Sequence, residues 1–317
     1  MLGKFINSYY YGKSGKGDFR MENLPKNRMQ LFWEMLQIRF SAIMRINLTY
    51  ALVWLPAIIV ITRGLLMWYN GMMQLSEGIA EQTLTPEISA LYQTTFNAIA
   101  IQSLLYLIPC IAITGPFTAG LCYVLRNWAR DEHAFVWSDF IENAKLNWKQ
   151  SLIVSSITGL LPFILYTANN FYVDMRAQNA LYIIPQVLCV LFGICWACMS
   201  VYMYPQIVTY NLKIKDVFSN ALILSIARLP QTLGLRLLSA LPPAIALIVG
   251  VTTPYFYIAL LVALIYYVLL GFGLSRFIYA SYSNGLFDLY INSKMENVKV
   301  NQGLAKSYGE KNNSKSR

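Results

Sequence analysis

Charged side chains are concentrated between residues 126 and 139, and acid–base catalysis is the chemistry that they could perform. The stretch follows an apolar run and contains His133, the chain's single histidine. One histidine cannot supply a two-histidine metal site within one chain. Asp131 and Glu132 are adjacent, and adjacent residues on a helix point in different directions, so they would not flank one substrate.

The arginines of the same stretch favour a structural interpretation. Arg126 and Arg130 are four residues apart and would share one face of a helix. That face suits lipid phosphates, or the place where a helix leaves a membrane. Cys195 and Cys198 form a Cys-x-x-Cys pair, but they lie inside an apolar run, where small residues pack between helices. We therefore predict no catalytic residue, no cofactor and no metal site, and a protein that is not an enzyme.

Apolar stretches long enough to cross a bilayer dominate the chain. Of its 317 residues, 56% are hydrophobic and 13% are charged, and a spanning helix needs about 20 mostly apolar residues. The composition predicts an all-α polytopic membrane protein of about six transmembrane helices. The fifth and sixth stretches are separated by only three residues, so a re-entrant hairpin is the alternative there. The predicted spans lie near 47–69, 99–124, 151–172, 181–207, 233–251 and 255–277.

Three parts of the chain follow from these spans. Residues 1–46 are predicted to form a cytoplasmic N-terminal arm with an amphipathic helix, residues 47–292 a transmembrane domain, and residues 293–317 a disordered cytoplasmic tail. The tail is polar and ends in "EKNNSKSR", and such segments cannot bury enough apolar surface to fold.

Lysine and arginine are distributed in a way that sets the orientation. The chain has 25 of these residues. All except Arg63 and Arg176 lie before the first span, after the second span, around the start of the fifth span, or from the end of the sixth span onward. Cytoplasmic segments carry such an excess, so we predict a cell-membrane protein with both termini in the cytoplasm. A basic face attracts anionic membrane lipids, which we expect as partners. Nucleic acid is not expected, because no compact basic stretch is interleaved with stacking aromatics.

An amphipathic helix is predicted before each of spans one, three and five. The second begins "DFIENA" (139–144) and the third "DVFSNA" (216–221), which share an Asp-x-x-x-Asn-Ala pattern. Such helices lie in the headgroup plane, pack under a bundle or hold a partner, while Asp and Asn also serve as ordinary helix caps. The candidate partner or lipid contacts are Arg126, Arg130, Asp131, Glu132, Asp139, Asn143, Asp216 and Asn220.

Proline and glycine predict interruptions within the spans. Broken helices surround the substrate in many transporters, whereas in other polytopic proteins they only shape the bundle. No Asp or Glu falls inside the six stretches, which argues against proton- or sodium-coupled transport. Arg63, near the outer end of span one, can reach towards the interface, and Arg236 lies near the inner end of span five. The candidate helix breaks are Pro56, Pro109, Gly115, Pro116, Pro162 and Pro242.

Two segments carry a family resemblance. They are "GPFTAGLCYVLRNWARDEHAFVWSDFIENAKLNWKQSL" (115–152) and "MYPQIVTYNLKIKDVFSNALILSIARLPQTL" (203–233). From about Leu31 to Tyr290, the chain resembles the YesL family of bacterial integral membrane proteins, whose domain has no known function. The resemblance implies a protein of the bacterial cell membrane, encoded in several cases near carbohydrate-uptake ABC transporters. It supplies no active-site residues.

Two functions are consistent with these features. The first is a non-enzymatic accessory or regulatory partner of a carbohydrate ABC transport system, in contact with its permease subunits. The alternative is a transporter or channel for a neutral solute. The proline-containing spans motivate it, as do the polar residues Gln102, Asn169, Gln186 and Gln206.

Overall fold

Short polar caps begin the first two long helices. Asn27 accepts a hydrogen bond from the backbone N–H of Gln30 (2.9 Å), and Thr85, just before Pro86, accepts one from the backbone N–H of Ile88 (3.3 Å). Each cap satisfies an N–H group that the start of a helix leaves without a partner. The apolar runs that follow then continue as helices, because a helix satisfies all of its inner backbone groups internally.

The computed structural model describes residues 24–81, 85–296 and 298–305, and within them there is no β-strand. A 3-10 turn, Ala180–Tyr182, precedes α5, and a π-helical turn, Tyr267–Gly271, joins α8 to α9. The helices are α1 (Arg28–Ala80), α2 (Pro86–Trp128), α3 (Val136–Leu146), α4 (Trp148–Arg176), α5 (Ile183–Ile207), α6 (Ile214–Ala227), α7 (Leu229–Thr252), α8 (Phe256–Tyr266) and α9 (Phe272–Tyr290).

Six of these segments are long and apolar enough to cross a membrane: α1, α2, α4, α5, α7 and the continuous α8–α9. The predicted all-α fold with six long apolar helices is therefore confirmed. α1 has 53 residues, about 80 Å at 1.5 Å per residue, which is far longer than a hydrocarbon core of about 30 Å. The first predicted pre-span helix is therefore the beginning of α1, whereas those before spans three and five are the separate helices α3 and α6. Residues 1–23 of the predicted N-terminal arm lie outside the described residues.

α2 and α9 form the centre of the bundle. α2 packs against α1, α3, α4 and α9, and α9 packs against α1, α2 and α5. One cluster of buried side chains joins α2, α4, α5, α6 and α9, and a second joins α1, α2, α3 and α9. Each separate pre-span helix packs on the long helix before it, α3 on α2 and α6 on α5. At one end of the bundle, α2, α5 and α9 finish and α1, α4 and α7 begin. We call this end the basic end.

The candidate helix breaks all lie inside continuous helices. The five prolines among them each remove one N–H from the hydrogen-bond ladder without ending the helix. Pro116 has no N–H, so the carbonyl of Ala112 loses its helical donor, and the Ser155 hydroxyl of α4 donates to that carbonyl instead (2.6 Å). At Gly115 a Cβ would collide with the carbonyl of Ser151, so this glycine lets α2 and α4 approach closely. The six positions are Pro56 in α1, Pro109, Gly115 and Pro116 in α2, Pro162 in α4 and Pro242 in α7.

The chain beyond α9 folds back onto the basic end. Leu304 is buried in the same cluster as Leu31 of α1 and Trp128 of α2. The backbone N–H of Ala305 donates to the carbonyl of Pro25 (3.0 Å). This part differs from the disorder predicted from residue 293, because one leucine finds an apolar site between α1 and α2. The remainder of the predicted tail, 306–317, lies outside the described residues.

Candidate functional site

The arginines at the end of α2 bond to the protein itself. Arg126 donates to the backbone carbonyl of Val208 (3.0 Å) and lies 4.0 Å from Glu132. Arg130 lies 3.8 Å from Glu132 and donates to the side chain of Gln302. Their side chains are only 14% and 13% exposed. These two candidate contacts therefore tie α2 to the end of α5 and to the chain after α9.

The other titratable residues of this stretch do not converge. Asp131 is exposed, and its backbone φ of 56° is a left-handed conformation that Asp tolerates better than most residues. Partial desolvation raises the pKa of its carboxyl, and Arg39 opposes this shift. His133 is exposed and contacts the ring of Phe135, with 4.7 Å between centroids. In the part of the chain that the structure describes, no group of three or more His, Cys, Asp or Glu residues could hold a metal ion.

The two copies of the Asp-x-x-x-Asn-Ala pattern are used differently. Asp139 accepts a hydrogen bond from the backbone N–H of Phe135 (2.9 Å), and the Asn143 side chain donates to the carbonyl of Asp139 (2.9 Å). On α6, Asp216 is exposed and Asn220 is half-buried, and neither side chain bonds to a described residue. The alanine of the pattern is buried in both copies. The first copy therefore caps α3, while the second leaves its polar groups available for contact.

A buried carboxylate near the end of α9 organises the basic end. Asp288, 6% exposed, pairs with Arg28 and accepts hydrogen bonds from the Asn292 side chain (2.6 Å) and the Asn301 backbone N–H (3.0 Å). The Tyr210 hydroxyl donates to Asn292 (2.7 Å). Burial, together with the nearby Asp288 charge, raises the pKa of Tyr210 to about 12, so the hydroxyl keeps its proton at neutral pH. We call these five residues the Asp288 network.

Asn47 of α1 holds the π-helical turn between α8 and α9. Its side chain is fully buried and donates to the carbonyls of Tyr267 (2.9 Å) and Val268 (2.7 Å). It also accepts a hydrogen bond from the backbone N–H of Gly273 (2.6 Å). A π turn departs from the regular helical ladder, and Asn47 supplies the partners that α8–α9 needs there.

Two arginines lie inside the bundle. Arg236 of α7 donates to the carbonyl of Ala197 in α5 and to the Tyr279 hydroxyl (3.2 Å), and its guanidinium carbon lies 5.1 Å from the Tyr279 ring centroid. The guanidinium carbon of Arg276 lies 5.0 Å from the ring centroid of Tyr204 and 6.0 Å from that of Tyr279. Among the described residues, no carboxylate pairs with either arginine. We call them the arginine pair.

Sequence reasoning missed three of the residues described above. Arg236 was expected near the inner end of the fifth span, and there a carbonyl and a hydroxyl accept its hydrogen bonds. Arg276 gave a signal, as an arginine near the end of the apolar run 255–277. Asp288 and Asn47 gave none, because their partners are distant in sequence: Asp288 and Arg28 are 260 residues apart.

The polar residues considered for a solute path bond in separate places. The Gln186 side chain donates to Asn169 (3.1 Å), and that of Gln102 donates to Tyr106 (3.3 Å). Gln206 is fully buried, and neither polar atom of its side chain has a partner among the described residues. These residues therefore do not form one polar pathway.

An apolar cleft of about 400 Å³ lies between α1, α7 and α8. Its lining is almost wholly hydrocarbon and aromatic. We call it the apolar groove, and the residues that line it include Trp54, Ile61, Leu247, Leu260, Tyr267 and Phe272.

A family profile described as "Protein of unknown function, DUF624" matches residues 94–168. This part of the chain is similar to DUF624. It takes in most of α2, all of α3 and most of α4, and therefore the charged stretch 126–139. The protein thus combines a DUF624 region of unknown function with six helices suited to a membrane. Searches of curated proteins and of solved structures found no match.

Proposed function

We propose that this is a non-enzymatic membrane protein of the YesL family, an accessory or regulatory partner of a carbohydrate ABC transport system. The observation that carries the proposal is the exposed apolar face on each separate pre-span helix. Trp137 and Ile141 of α3 are 61% and 48% exposed, and Ile223 and Ile226 of α6 are 60% and 64% exposed.

These faces suit a partner that lies in or beside the membrane. Large apolar side chains at the end of a bundle need lipid or protein around them, and aromatic residues are common anchors in protein interfaces. Asp216 and Asn220 of α6 have no internal partner among the described residues, so they can supply polar contacts at the rim of an interface. Permease subunits of a carbohydrate ABC transporter are the partner that the YesL resemblance implies.

We further propose that the basic end faces the cytoplasm of the cell membrane. Support comes from the lysines and arginines, nearly all of which precede α1, follow α2, lead into α7 or follow from α9 onward. An excess of such residues marks the cytoplasmic side. The same charge would attract anionic lipids to the helices that hold the partner.

Affinity purification from native membranes tests the proposal. Protein carrying a C-terminal tag is solubilised in mild detergent, and ABC permease subunits are quantified by mass spectrometry. We expect stoichiometric recovery, reduced by about tenfold or more in the double variant Trp137→Ser and Ile223→Ser, because hot-spot residues carry most of the affinity of an interface. Glu142→Gln changes an exposed polar residue of α3 and should leave recovery unchanged.

Recovery of the protein alone, at several detergent strengths, would contradict the proposal. It would favour the alternative, a transporter or channel for a neutral solute. Uptake of one solute, but not of others, into liposomes that contain only the pure protein would then establish that alternative.

A further inference from the structure

The two guanidinium groups of the arginine pair have few hydrogen-bond acceptors and no carboxylate partner among the described residues. Arg276 makes no hydrogen bond or ion pair with any described residue and is held against the rings of Tyr204 and Tyr279. Arg236 has five N–H groups but bonds to one carbonyl and one hydroxyl. Aromatic faces attract a guanidinium but carry no net charge. Both side chains are only partly buried, so an anion from outside the chain can complete the site.

Depth in the membrane points to a particular kind of anion. The α8–α9 helix begins at Phe256, and Arg276 lies twenty residues later, about 30 Å along the helix. That length equals the thickness of the hydrocarbon core. With Phe256 at one boundary of the core, Arg276 lies at the other, on the side of the basic end. The headgroup layer that contains the lipid phosphates begins at this boundary.

The apolar groove begins beside the arginines. Phe272, Arg276 and Tyr279 occupy positions i, i+4 and i+7 of α9 and so share one face. Phe272 lines the groove and stacks on Trp54 of α1, with 4.8 Å between ring centroids. The groove therefore starts about one helical turn from Arg276 and runs towards Phe256, away from the basic end. Its hydrocarbon lining suits an acyl chain.

We propose that the arginine pair binds the phosphate of an anionic glycerophospholipid from the leaflet at the basic end, with one acyl chain in the apolar groove. A guanidinium matches phosphate oxygens in both geometry and charge. Phosphate between the two arginines supplies the counter-charge that no described residue provides, and the groove selects a ligand that carries a hydrocarbon chain. This site is separate from the exposed faces of α3 and α6. The lipid proposal can therefore be tested independently of the proposed partner.

Native mass spectrometry of the delipidated protein in detergent tests the site directly. Phosphatidylglycerol, phosphatidylcholine and inorganic phosphate are added separately and in competition. We expect phosphatidylglycerol to bind at concentrations about tenfold lower than phosphatidylcholine, with no competition from inorganic phosphate. Equal binding of the two lipids would overturn the proposal. So would displacement of phosphatidylglycerol by millimolar inorganic phosphate, because the site would then serve soluble phosphates.

Variants locate the lipid on the protein. Arg276→Gln should weaken phosphatidylglycerol binding about tenfold. It should affect phosphatidylcholine less, because the choline cation already neutralises that lipid's phosphate. Arg228→Gln is the matched control, since Arg228 lies at the basic end and bonds only to the exposed Tyr290 hydroxyl. Unchanged binding in Arg276→Gln would overturn the proposal.

The groove gives a second test that keeps both arginines, should Arg276→Gln fail to fold. Ala263 lines the groove, and Ala263→Trp fills it. The preceding residue, Val262, is 59% exposed and does not line the groove, so Val262→Trp is the matched control. Loss of phosphatidylglycerol in Ala263→Trp alone supports the proposal, and retention in both variants contradicts it.

Discussion

The arginines of the basic end and the arginine pair differ in what surrounds their charge. Arg28 meets the carboxylate of Asp288, and Arg126 and Arg130 share Glu132. Arg236 and Arg276 meet aromatic rings, a hydroxyl and a backbone carbonyl. A charge neutralised by its own chain stabilises the fold, whereas a charge without a counter-ion remains available to a ligand. The comparison separates residues that hold this bundle together from residues that can bind something else.

Polar groups inside the bundle should matter most where the chain itself satisfies them. Asn47→Leu removes both donors to the π-helical turn and the acceptor for the Gly273 N–H. We expect a loss of about 4 kcal/mol in the free energy of unfolding, because each buried group left unpaired costs about 1–3 kcal/mol. Titration with a denaturing detergent, read by circular dichroism, measures it. Asn70→Leu removes one exposed hydrogen bond on the same helix and should cost far less. Equal effects would show that the π turn does not depend on Asn47.

Removing the carboxylate of the Asp288 network should have the next largest effect. Asp288→Asn keeps the side-chain volume but leaves Arg28 without its counter-charge. Breaking a buried pair costs about 3–5 kcal/mol, and since the Arg28 side chain is 28% exposed, we expect about 2–3 kcal/mol. The same titration measures the change. Asp174→Asn, an exposed residue in the last turn of α4, is the control. A shift no larger than that of the control would mean that water already neutralises Arg28.

The segment after α9 offers a smaller test of the basic end. Gly303 has a φ of +80°, and a Cβ there would lie 3.0 Å from the carbonyl oxygen of Arg130. Gly303→Ala should cost about 1–2 kcal/mol of local stability and make residues 298–305 more sensitive to proteases. Gly234→Ala, where an added Cβ meets nothing within 4 Å, should leave the cleavage rate unchanged. Equal cleavage in the two variants would show that the other contacts of the segment hold it without the left-handed conformation at Gly303.

Substitution of Arg276 should change the free energy of unfolding least. Unlike Asp288→Asn, it should not destabilise the protein. Arg276→Met keeps an unbranched stem and removes a charge that no described residue pairs. Replacing buried ionic groups by apolar ones is often neutral or stabilising. We therefore expect a change within about 1 kcal/mol of zero, or a gain, in detergent without anionic lipid. A loss as large as that of Asp288→Asn would place Arg276 among the residues that hold the fold.

The sequence predicted the architecture because its signal is local. Twenty apolar residues in a row must form a helix in lipid, whatever else the chain contains, and six such stretches became six helices. The polar sites were harder to predict, because they join residues far apart in the chain. Asn47 donates to carbonyls more than two hundred residues away in the chain. No pattern in the sequence around Asn47 indicates that its side chain bonds to a π-helical turn.

The prolines also show that contacts between distant residues cannot be predicted from the sequence. Pro116 was a candidate helix break because proline has no N–H to donate, but the sequence could not show that Ser155 of another helix would bond to the carbonyl left free. Likewise the Asp-x-x-x-Asn-Ala pattern predicted two related helices, whose alanines are both buried. The different use of Asp139 and Asp216 depends on the chain that precedes each helix.

The contact between Pro25 and Ala305 has a consequence for biosynthesis. The Ala305 N–H donates to the carbonyl of Pro25. The Asn301 N–H donates to Asp288, which also pairs with Arg28. Membrane helices enter the bilayer in order as the ribosome extends the chain, so α1 waits for its partner until α9 and the segment after it have been translated. A truncated product lacks that closure, and the exposed start of its first helix would mark it as incomplete to the proteases that survey newly inserted proteins.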